Sequence, residues 1–137
     1  MELSPRMRHM MDEVTLGSPV ARALGITLVS ASPERTILRM PFQPANITFE
    51  DAVHGGVIAT FIDIAAAAGF VAGAPDDMAG GVTSNMSISY LSAARGVDLL
   101  AEAHVLRRGK RQIATDVTVT DPSGRLIAKG LVTNRSF

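Results

Sequence analysis

Hydrophobic and polar residues are mixed along most of this chain, but one segment is almost entirely apolar. Residues 55–74, GGVIATFIDIAAAAGFVAGA, contain a single ionisable side chain, Asp63. A helix that packs against a protein on one face carries a polar stripe on its other face, and this segment has none. The segment therefore predicts a helix enclosed on nearly all sides, with one carboxylate in its middle.

The residues before this segment predict a short helix and then a β-hairpin. Residues 18–25, SPVARALG, carry a serine suited to cap a helix, a proline at the first helical position and a glycine at the end. The next two runs, residues 26–31 and 35–42, are rich in β-forming residues and are separated by the turn sequence SPE. We therefore expect a helical N-terminal segment at about residues 4–25, a pair of antiparallel strands, and a loop that leads to His54.

The residues after the apolar segment predict strands only. The sequence GAPDDMAGG ends the helix, and the next run alternates with a period of two, which places Val82 and Tyr90 on one face and Thr83 on the other. Three more β-rich runs follow, each bounded by Gly or Pro-Ser-Gly turns. The whole pattern predicts one domain, residues 1–137, of class α+β, with an antiparallel β-sheet wrapped around one long central α-helix.

Composition narrows the classes of function. Thirteen basic and thirteen acidic residues cancel, so no overall charge draws the protein to nucleic acid or to an anionic membrane. Cysteine is absent, which excludes disulfides, a thiolate nucleophile and Cys-ligated zinc. His9, His54 and His104 have no paired metal-ligand spacing. We therefore expect no metal site and no nucleic-acid partner.

The apolar segment is also about as long as a membrane-spanning helix. Asp63 at its centre would cost about 2.5 to 3.5 kcal/mol in a bilayer, and alanine and glycine drive insertion only weakly. The first residues, MELSPRMRHMMDEV, alternate charge with methionine and lack the continuous apolar core of a secretory signal. We therefore expect a helix buried within protein, no membrane partner and a cytoplasmic location.

The start of the apolar helix has the chemistry of an anion site. The first N–H groups of a helix lack partners within it and carry partial positive charge, and Gly55 and Gly56 would let a ligand approach them closely. Such a site suits an oxygen that becomes negative, for example the carbonyl oxygen of an acyl group under attack. Asp63 lies about 12 Å further along the helix axis. A second subunit packed antiparallel by two-fold symmetry would bring its own Asp63 close to Gly55.

Each of these features also has a purely structural interpretation. Asp63 could be a core carboxylate held by a serine or a backbone group, His54 a helix-capping residue, and Gly55-Gly56 a turn. The sequence contains neither a P-loop nor a G-x-S-x-G nucleophile motif. It is the combination of the three features that favours a catalytic helix start.

The sequence HGGVIATFIDIAAAAG, residues 54–69, resembles the helix motif of the hot-dog-fold thioesterases of the phenylacetate-degradation type. In that motif His-Gly-Gly opens the central helix and an acid follows nine residues after the His. The segments before and after it resemble the same family, so the likeness covers nearly the whole chain. It implies a hot-dog fold and an acyl-CoA thioester hydrolase with active sites at a homodimer interface, and a tetramer of paired dimers. It implies no cofactor, because coenzyme A is part of the substrate.

The resemblance assigns roles to the residues of the helix. The N–H of Gly55 or Gly56 would polarise the thioester carbonyl. Asp63 of the other subunit would act as a nucleophile or as a general base on water. His54 would position the thioester or the neighbouring backbone.

Two further positions follow from the family pattern. Thr83 matches a Ser or Thr that family members place near the acid. The family often has an Asn six residues before the His, where this chain has Thr48. Either Asn46 reaches in from a slightly longer loop, or Thr48 supplies a hydroxyl and Asn46 only shapes a turn.

A basic run, RRGKR, is the densest charge cluster in the chain. A solvated hairpin tip explains it equally well, but coenzyme A carries a pyrophosphate and a 3′-phosphate that such a patch would bind. The candidate phosphate-binding residues are Arg107, Arg108, Lys110 and Arg111.

Two other functions stay open at this point. A hydratase or dehydratase of acyl thioesters would share the fold and use His54 as acid or base. A non-catalytic acyl-CoA binding module would share the basic run, although a buried Asp63 with no chemical task argues against it. The acyl group is undetermined, because it depends on the packing of side chains such as Phe61, Phe70, Met86 and Tyr90.

Overall fold

The computed structural model of the protein describes residues 3–137; residues 1 and 2, the start of the predicted domain, lie outside the described part. The helices are α1 (Pro5–His9), α2 (Pro19–Leu24) and α3 (Gly55–Ala72), with a π-helical turn at Met10–Thr15 and a 3-10 turn at Pro44–Asn46. The strands are β1 (Thr27–Ala31), β2 (Arg35–Met40), β3 (Ile47–Phe49), β4 (Ala52–Val53), β5 (Gly81–Tyr90), β6 (Leu99–Arg108), β7 (Gln112–Thr120) and β8 (Leu126–Ser136).

Six of these strands form one antiparallel sheet in the order β1-β2-β6-β7-β8-β5. Strands β3 and β4 form a separate small hairpin just before α3. Helix α3 lies across one face of the large sheet and packs mainly on β2, β6, β7 and β8. The predicted α+β class, with an antiparallel sheet around one long helix, is confirmed.

The hydrophobic core lies between α3 and the sheet. Phe61 and Ile62 of α3 are fully buried, as is Val117 of β7. Burial of each such side chain contributes about 1.5 to 3 kcal/mol to folding. The small residues in the second half of α3 let the sheet approach closely, since a Cβ placed on Gly69 would lie 3.4 Å from the Cβ of Ala103. This close packing fixes the position of α3 over the sheet.

Helix α3 is long and apolar enough to cross a membrane by length and composition, and it serves as the core helix of this fold. More than half of its residues are buried, against the sheet and against the N-terminal π-helical turn. Met7 and Met11 of the N-terminal segment are buried in the same core. Asp63 lies on a flank of α3 that is only partly buried. The lone carboxylate of the helix is therefore on its more open side.

The N-terminal segment is helical in separate pieces. Ser4 and Ser18 cap α1 and α2, and each accepts a hydrogen bond from the backbone N–H three residues further on. Gly25 ends α2 with a left-handed φ of 69°, a conformation that favours glycine. The predicted caps at Ser18 and Gly25 are confirmed, whereas the expected helical segment at residues 4–25 is interrupted before α2.

A β-bulge in β5 changes which residues face α3. Thr83 pairs with Asn134 and Asn85 pairs with Thr133, so the register moves by two residues along β5 and by only one residue along β8. The extra residue reverses the alternation of side chains, and both Thr83 and Tyr90 hydrogen-bond to groups of α3. The prediction that Thr83 and Tyr90 lie on opposite faces is therefore wrong, because an uninterrupted period of two does not allow for a bulge.

Candidate active site

His54 caps the N-terminal end of α3, where the predicted anion site lies. Its Nδ1 accepts a hydrogen bond from the N–H of Gly56 at 2.8 Å, and its carbonyl accepts from Val57 and Ile58 at 3.0 and 3.1 Å. Within the described part of the chain, the N–H of Gly55 has no acceptor. Gly55, rather than Gly56, therefore presents the free donor at this helix end.

Tyr90, at the end of β5, holds the same helix end from another side. Its hydroxyl donates a hydrogen bond to the carbonyl of Gly55 at 2.7 Å. The peptide group between Gly55 and Gly56 is thus held at its oxygen by Tyr90 and at its nitrogen by His54. These contacts fix the backbone of Gly55, which glycine would otherwise leave free to rotate, while the peptide that carries the Gly55 N–H is held through the His54 carbonyl. Sequence reasoning did not find this role, since the contact joins positions 35 residues apart.

Asn46 lies next to His54, although it is eight positions earlier in the chain. The β3–β4 hairpin folds back between them, with Ile47 opposite Val53, and the N–H of His54 donates to the carbonyl of Asn46 at 2.8 Å. The Nδ2 of Asn46 is buried and has no hydrogen-bond partner among residues 3–137. Thr48 is exposed on the hairpin. The longer loop thus brings Asn46, with a free amide donor, to the start of α3.

A hydroxyl from β5 holds the Asp63 carboxylate. Thr83 Oγ1 donates to Asp63 Oδ1 at 2.6 Å, which brings two predicted site residues together. Thr83 Oγ1 in turn accepts a hydrogen bond from Nδ2 of Asn134 at 3.2 Å. Asn134 belongs to β8 and is only 3 % exposed. Sequence reasoning missed Asn134, because only the pairing of β5 with β8 places it beside Thr83.

The start of α3 and Asp63 line different cavities of the chain. Gly55 and Tyr90 border a cavity of about 340 Å³ whose other walls are mostly apolar. Asp63, Thr83 and Asn134 border a second cavity of about 460 Å³. About two turns of α3 separate the carboxylate from Gly55. In a single chain, the free N–H of Gly55 and the Asp63 carboxylate therefore lie too far apart to act on the same group.

Three of the four predicted phosphate-binding cations line an open cleft. Arg107, Lys110 and Arg111 lie at the turn between β6 and β7, are exposed, and border a cavity of about 640 Å³. Arg135 of β8 adds another cation to this basic cleft, because strand pairing places it opposite Gln112. Arg135 was not predicted, since it is distant from the basic run in sequence.

Arg108 turns away from the basic cleft and caps the C-terminal end of α3. Its guanidinium donates to the carbonyls of Gly69, Phe70 and Pro33 at 2.6, 3.0 and 2.8 Å. Burial lowers the pKa of Arg108, and the carboxylate of Glu34 opposes this shift. The expectation that Arg108 binds phosphate beside its neighbours is therefore corrected, because backbone carbonyls occupy its donors.

Another cavity, of about 720 Å³, lies between the Asp63 cavity and the basic cleft and shares lining residues with both. It shares the rings of Phe70 and Phe137 with the Asp63 cavity, and it shares three cations with the basic cleft. Along one subunit the surface thus changes from a carboxylate to apolar walls and then to clustered positive charge. A ligand with an uncharged middle and an anionic end fits this order.

Comparison with known proteins relates these residues to a family. Residues 51–128 match the family model of the thioesterase superfamily, a range that contains the whole of α3 with His54 and Asp63. Acyl-coenzyme A thioesterase 13 from Homo sapiens is 34 % identical over 93 % of this chain and 92 % of that protein. The same-named protein from Mus musculus is 34 % identical over 77 % of this chain and 75 % of its own.

Solved structures of thioesterases share the fold. A thioesterase family protein from Silicibacter pomeroyi superimposes with a TM-score of 0.88 at 21 % identity, covering 96 % of this chain and 98 % of that one. Zebra fish thioesterase superfamily member 2 gives a TM-score of 0.79 at 27 % identity, covering 98 % and 99 %. A hypothetical thioesterase from Streptococcus pneumoniae, solved with coenzyme A, gives 0.75 at 19 % identity, covering 82 % and 85 %. The predicted hot-dog fold is confirmed.

Proposed function

Because this chain belongs to the thioesterase superfamily and is a thioester hydrolase, we propose that it cleaves acyl-coenzyme A at a site built from two subunits. One observation carries the proposal: a single chain separates the free N–H of Gly55 from the held carboxylate of Asp63. The first group can stabilise a negative oxygen, and the second can accept a proton. Hydrolysis of a thioester needs both, so each chain supplies one half of two equivalent sites.

In the proposed reaction, the thioester carbonyl oxygen lies against the N–H of Gly55. Water attacks the carbonyl carbon while Asp63 of the second subunit takes a proton from it. The Gly55 N–H and the positive end of α3 stabilise the charge that forms on the oxygen. When the tetrahedral intermediate collapses, the C–S bond breaks, the sulfur leaves as a thiol with the proton from Asp63, and the carboxylic acid is released. Direct attack by Asp63 through an acyl-enzyme is the alternative that uses the same two groups.

Three other residues support these two groups in the proposal. His54 occupies the N–H of Gly56 and leaves that of Gly55 free. Asn46 offers its unpartnered Nδ2, beside His54, as a second donor to the thioester or to water. Thr83 holds one oxygen of Asp63 and leaves the other oxygen for the proton of the attacking water.

The edge strand β5 supports the pairing of two subunits. It is ten residues long and ends the order of the sheet, and in the described chain no strand pairs with its outer edge. Val82 and Tyr90 on this strand are 55 % and 52 % exposed. A long, partly apolar edge is a template for pairing with another chain. An antiparallel β5–β5 contact would join the two sheets and set the two α3 helices side by side in opposite directions.

Further association of two dimers into a tetramer is part of the proposal. Exposed leucines on strands other than β5 support it, since burying them would remove apolar surface from water. They are Leu100, Leu106 and Leu131.

The basic cleft supports coenzyme A as the leaving group. Four cations gather there in a chain with no net charge, and phosphates bind such clusters through charge-assisted hydrogen bonds. Two of the structurally similar proteins were solved with coenzyme A or acetyl-CoA. The cleft and Asp63 border neighbouring cavities of one chain that share lining residues, so we place the nucleotide on the subunit that supplies the acid.

The hydratase and the non-catalytic module are not proposed. Similarity to acyl-coenzyme A thioesterase 13 supports hydrolysis. The Nδ1 of His54 is also engaged in capping α3, which leaves this nitrogen unsuited to act as an acid or base. The cavity beside Gly55 is bordered by apolar side chains such as Val53, Ile58 and Leu91, which supports an apolar acyl group.

Release of free thiol, followed with a colorimetric reagent, tests the proposal on phenylacetyl, benzoyl, short, medium and long acyl-CoAs. The wild-type protein should release thiol from at least one class, and Asp63→Asn should lose more than about 100-fold in kcat because the base is gone. Asp12→Asn, which changes an exposed carboxylate on the π-helical turn, is the matched control and should keep full turnover. Near wild-type turnover by a folded Asp63→Asn protein would refute the catalytic role. No thiol release from any acyl-CoA would refute the substrate class.

Mixed dimers test whether two subunits share each site. Asp63→Asn removes the base, and Gly55→Pro removes the proposed donor, so each variant alone should be inactive. In a mixed dimer, one site carries both changes and the other site carries neither. Random exchange of subunits should therefore restore about one quarter of wild-type activity. No recovery after demonstrated exchange would mean that Gly55 and Asp63 do not act across subunits.

A further inference from the structure

Asn134 is a buried amide that lies directly behind the Thr83–Asp63 contact. It pairs with Thr83 across β5 and β8, and its Nδ2 lies 3.2 Å from Thr83 Oγ1. Only 3 % of Asn134 is exposed. A fully buried amide on a strand whose other inward side chains are apolar, such as Ile127 and Val132, needs a physical reason.

The contact determines the direction of the Thr83 hydroxyl hydrogen. Nδ2 of Asn134 can only donate, so Thr83 Oγ1 is the acceptor in this contact. The hydroxyl of Thr83 has a single hydrogen, and an ionised carboxylate can only accept. That hydrogen therefore lies between Thr83 Oγ1 and Asp63 Oδ1, at an oxygen–oxygen distance of 2.6 Å. With the amide turned over, Oδ1 of Asn134 would compete with Asp63 for the same hydrogen.

The arrangement of Asn134 does not favour stability. Its Oδ1 is buried and has no hydrogen-bond partner among the residues that the structure describes. A buried acceptor left without a donor destabilises the fold. An apolar side chain of similar size would avoid this cost, as at Val132 on the same strand. The site therefore uses the Nδ2 donor of Asn134, whereas burial of the amide group does not itself stabilise the fold.

We propose that Asn134 is a positioning residue of the catalytic site, which acts through Thr83 to orient the Asp63 carboxylate. By donating to Thr83, it commits the hydroxyl hydrogen to Oδ1 of Asp63 and leaves Oδ2 to take the proton from water. The hydrogen bonds run in one direction, from Asn134 to Thr83 to Asp63, and polarise one another. The inference rests on the proposed role of Asp63 as the base.

A double-mutant cycle between Asn134 and Thr83 tests this inference. Asn134→Ala is expected to lower kcat by about 10-fold and to change KM by less than about 2-fold, because in the inference the amide acts through Thr83 and not on the substrate. In the Thr83→Val background, the same substitution should change kcat by less than about 2-fold, because the group through which Asn134 acts is gone. Asn134→Asp keeps the size but replaces the donor by an acceptor, so it should lose at least as much as Asn134→Ala.

Two control substitutions separate positioning from packing. Thr115→Val changes another buried threonine, whose Oγ1 has no partner within the described residues, and should leave kcat unchanged. Arg22→Gln changes an exposed side chain of α2 that lies outside the proposed site and should also leave kcat unchanged. The inference would be overturned if Asn134→Ala lowered kcat equally in the wild-type and Thr83→Val backgrounds. It would also be overturned if the loss of kcat among the variants only paralleled a fall in melting temperature.

A second measurement applies if the Thr83→Val protein is too slow to assay. The side-chain amide signals of Asn134 in a ¹H–¹⁵N spectrum should move in Thr83→Val and also in Asp63→Asn, since the three groups form one chain of hydrogen bonds. Unchanged signals in both variants would overturn the inference. Full activity of Asp63→Asn would instead refute the proposed role of the carboxylate, so the two failures are distinguishable.

Discussion

The two ends of α3 are treated in opposite ways. At the N-terminal end, the N–H of Gly55 is left without an acceptor in the described chain, beside glycine and in contact with a cavity. At the C-terminal end, the guanidinium of Arg108 covers the carbonyls of Gly69 and Phe70. One end of the helix is kept open, and the other end is closed by the protein itself.

The helix dipole explains why both arrangements are favourable. A cation at the C-terminal end of a helix contributes about 0.3 to 1 kcal/mol, and up to about 2 kcal/mol where it is partly buried. A negative oxygen at the N-terminal end is favoured by the same dipole, but it exists only while a thioester is being attacked. In the proposed mechanism, the permanent partner at the C-terminal end stabilises the fold, whereas the transient negative oxygen at the N-terminal end lowers the barrier of the reaction.

The largest effect is expected from a substitution that removes the free N–H of Gly55 without disturbing α3. Gly55→Pro removes the N–H with little strain on the helix, since proline suits the first helical position and His54 already has the extended backbone, φ −59° and ψ 134°, that proline requires before it. We expect kcat to fall by about 10²- to 10³-fold, as for the loss of one oxyanion donor. Steady-state kinetics on the best acyl-CoA measures the effect.

Gly55→Ala is the matched control for this substitution. It keeps the N–H, and its Cβ would lie 3.5 Å from the ring of Tyr90, an ordinary contact distance. We expect most of the activity to remain. If Gly55→Pro and Gly55→Ala were equally active, the oxyanion would have to be held elsewhere.

At the closed end of α3, the effect should fall on stability instead. Arg108→Met keeps the apolar stem but leaves three carbonyls without their charged donor, so we expect the free energy of unfolding to drop by about 2 to 3 kcal/mol. Urea unfolding measures this loss. Arg107→Met, next to it but exposed, should change stability by less than about 0.5 kcal/mol. Equal stability of the two variants would show that the cap contributes nothing.

A smaller effect on kcat is expected when the N-terminal end of α3 is held less firmly. Tyr90→Phe removes the hydroxyl that holds the carbonyl of Gly55 but keeps the ring, so the backbone of Gly55 that carries the free N–H is less firmly fixed. We expect kcat to fall by about 10-fold with little change in KM, which is the signature of an interaction made in the transition state. Unaltered kcat in Tyr90→Phe, with a loss only in Tyr90→Leu, would mean that the ring packs and the hydroxyl has no function.

The smallest effect is expected in the basic cleft beyond the closed end. Arg111→Gln combined with Arg135→Gln should raise KM for acyl-CoA by about 3- to 5-fold at low salt and by less at high salt, because exposed charges are screened. Hydrolysis of the matching acyl-pantetheine, which lacks the nucleotide, should not change. Arg125→Gln, an exposed cation at another turn, serves as the control. A KM increase that is the same for both substrates would contradict phosphate binding.

The helix and its chemistry were accessible from the sequence because their signals are local. The apolar run at residues 55–74 predicted α3, observed at Gly55–Ala72, and the Gly-Gly pair marked its open end. The contacts of Tyr90, Asn134 and Arg135 were not accessible, because they depend on the register between strands far apart in sequence. One bulge in β5 is enough to turn Thr83 toward Asp63, and alternation alone gives no sign of it.

The position of Arg108 in the chain has a consequence for synthesis on the ribosome. Helix α3 is complete well before β6 ends, so its apolar surface emerges before β5 to β8 exist to cover it and before its C-terminal carbonyls meet a guanidinium. The N-terminal helices, the β1–β2 hairpin and the short β3–β4 hairpin are the described elements then available to shield it. Nascent chains that stop short of Arg108 should therefore associate with chaperones, whereas chains that include β8 should leave them.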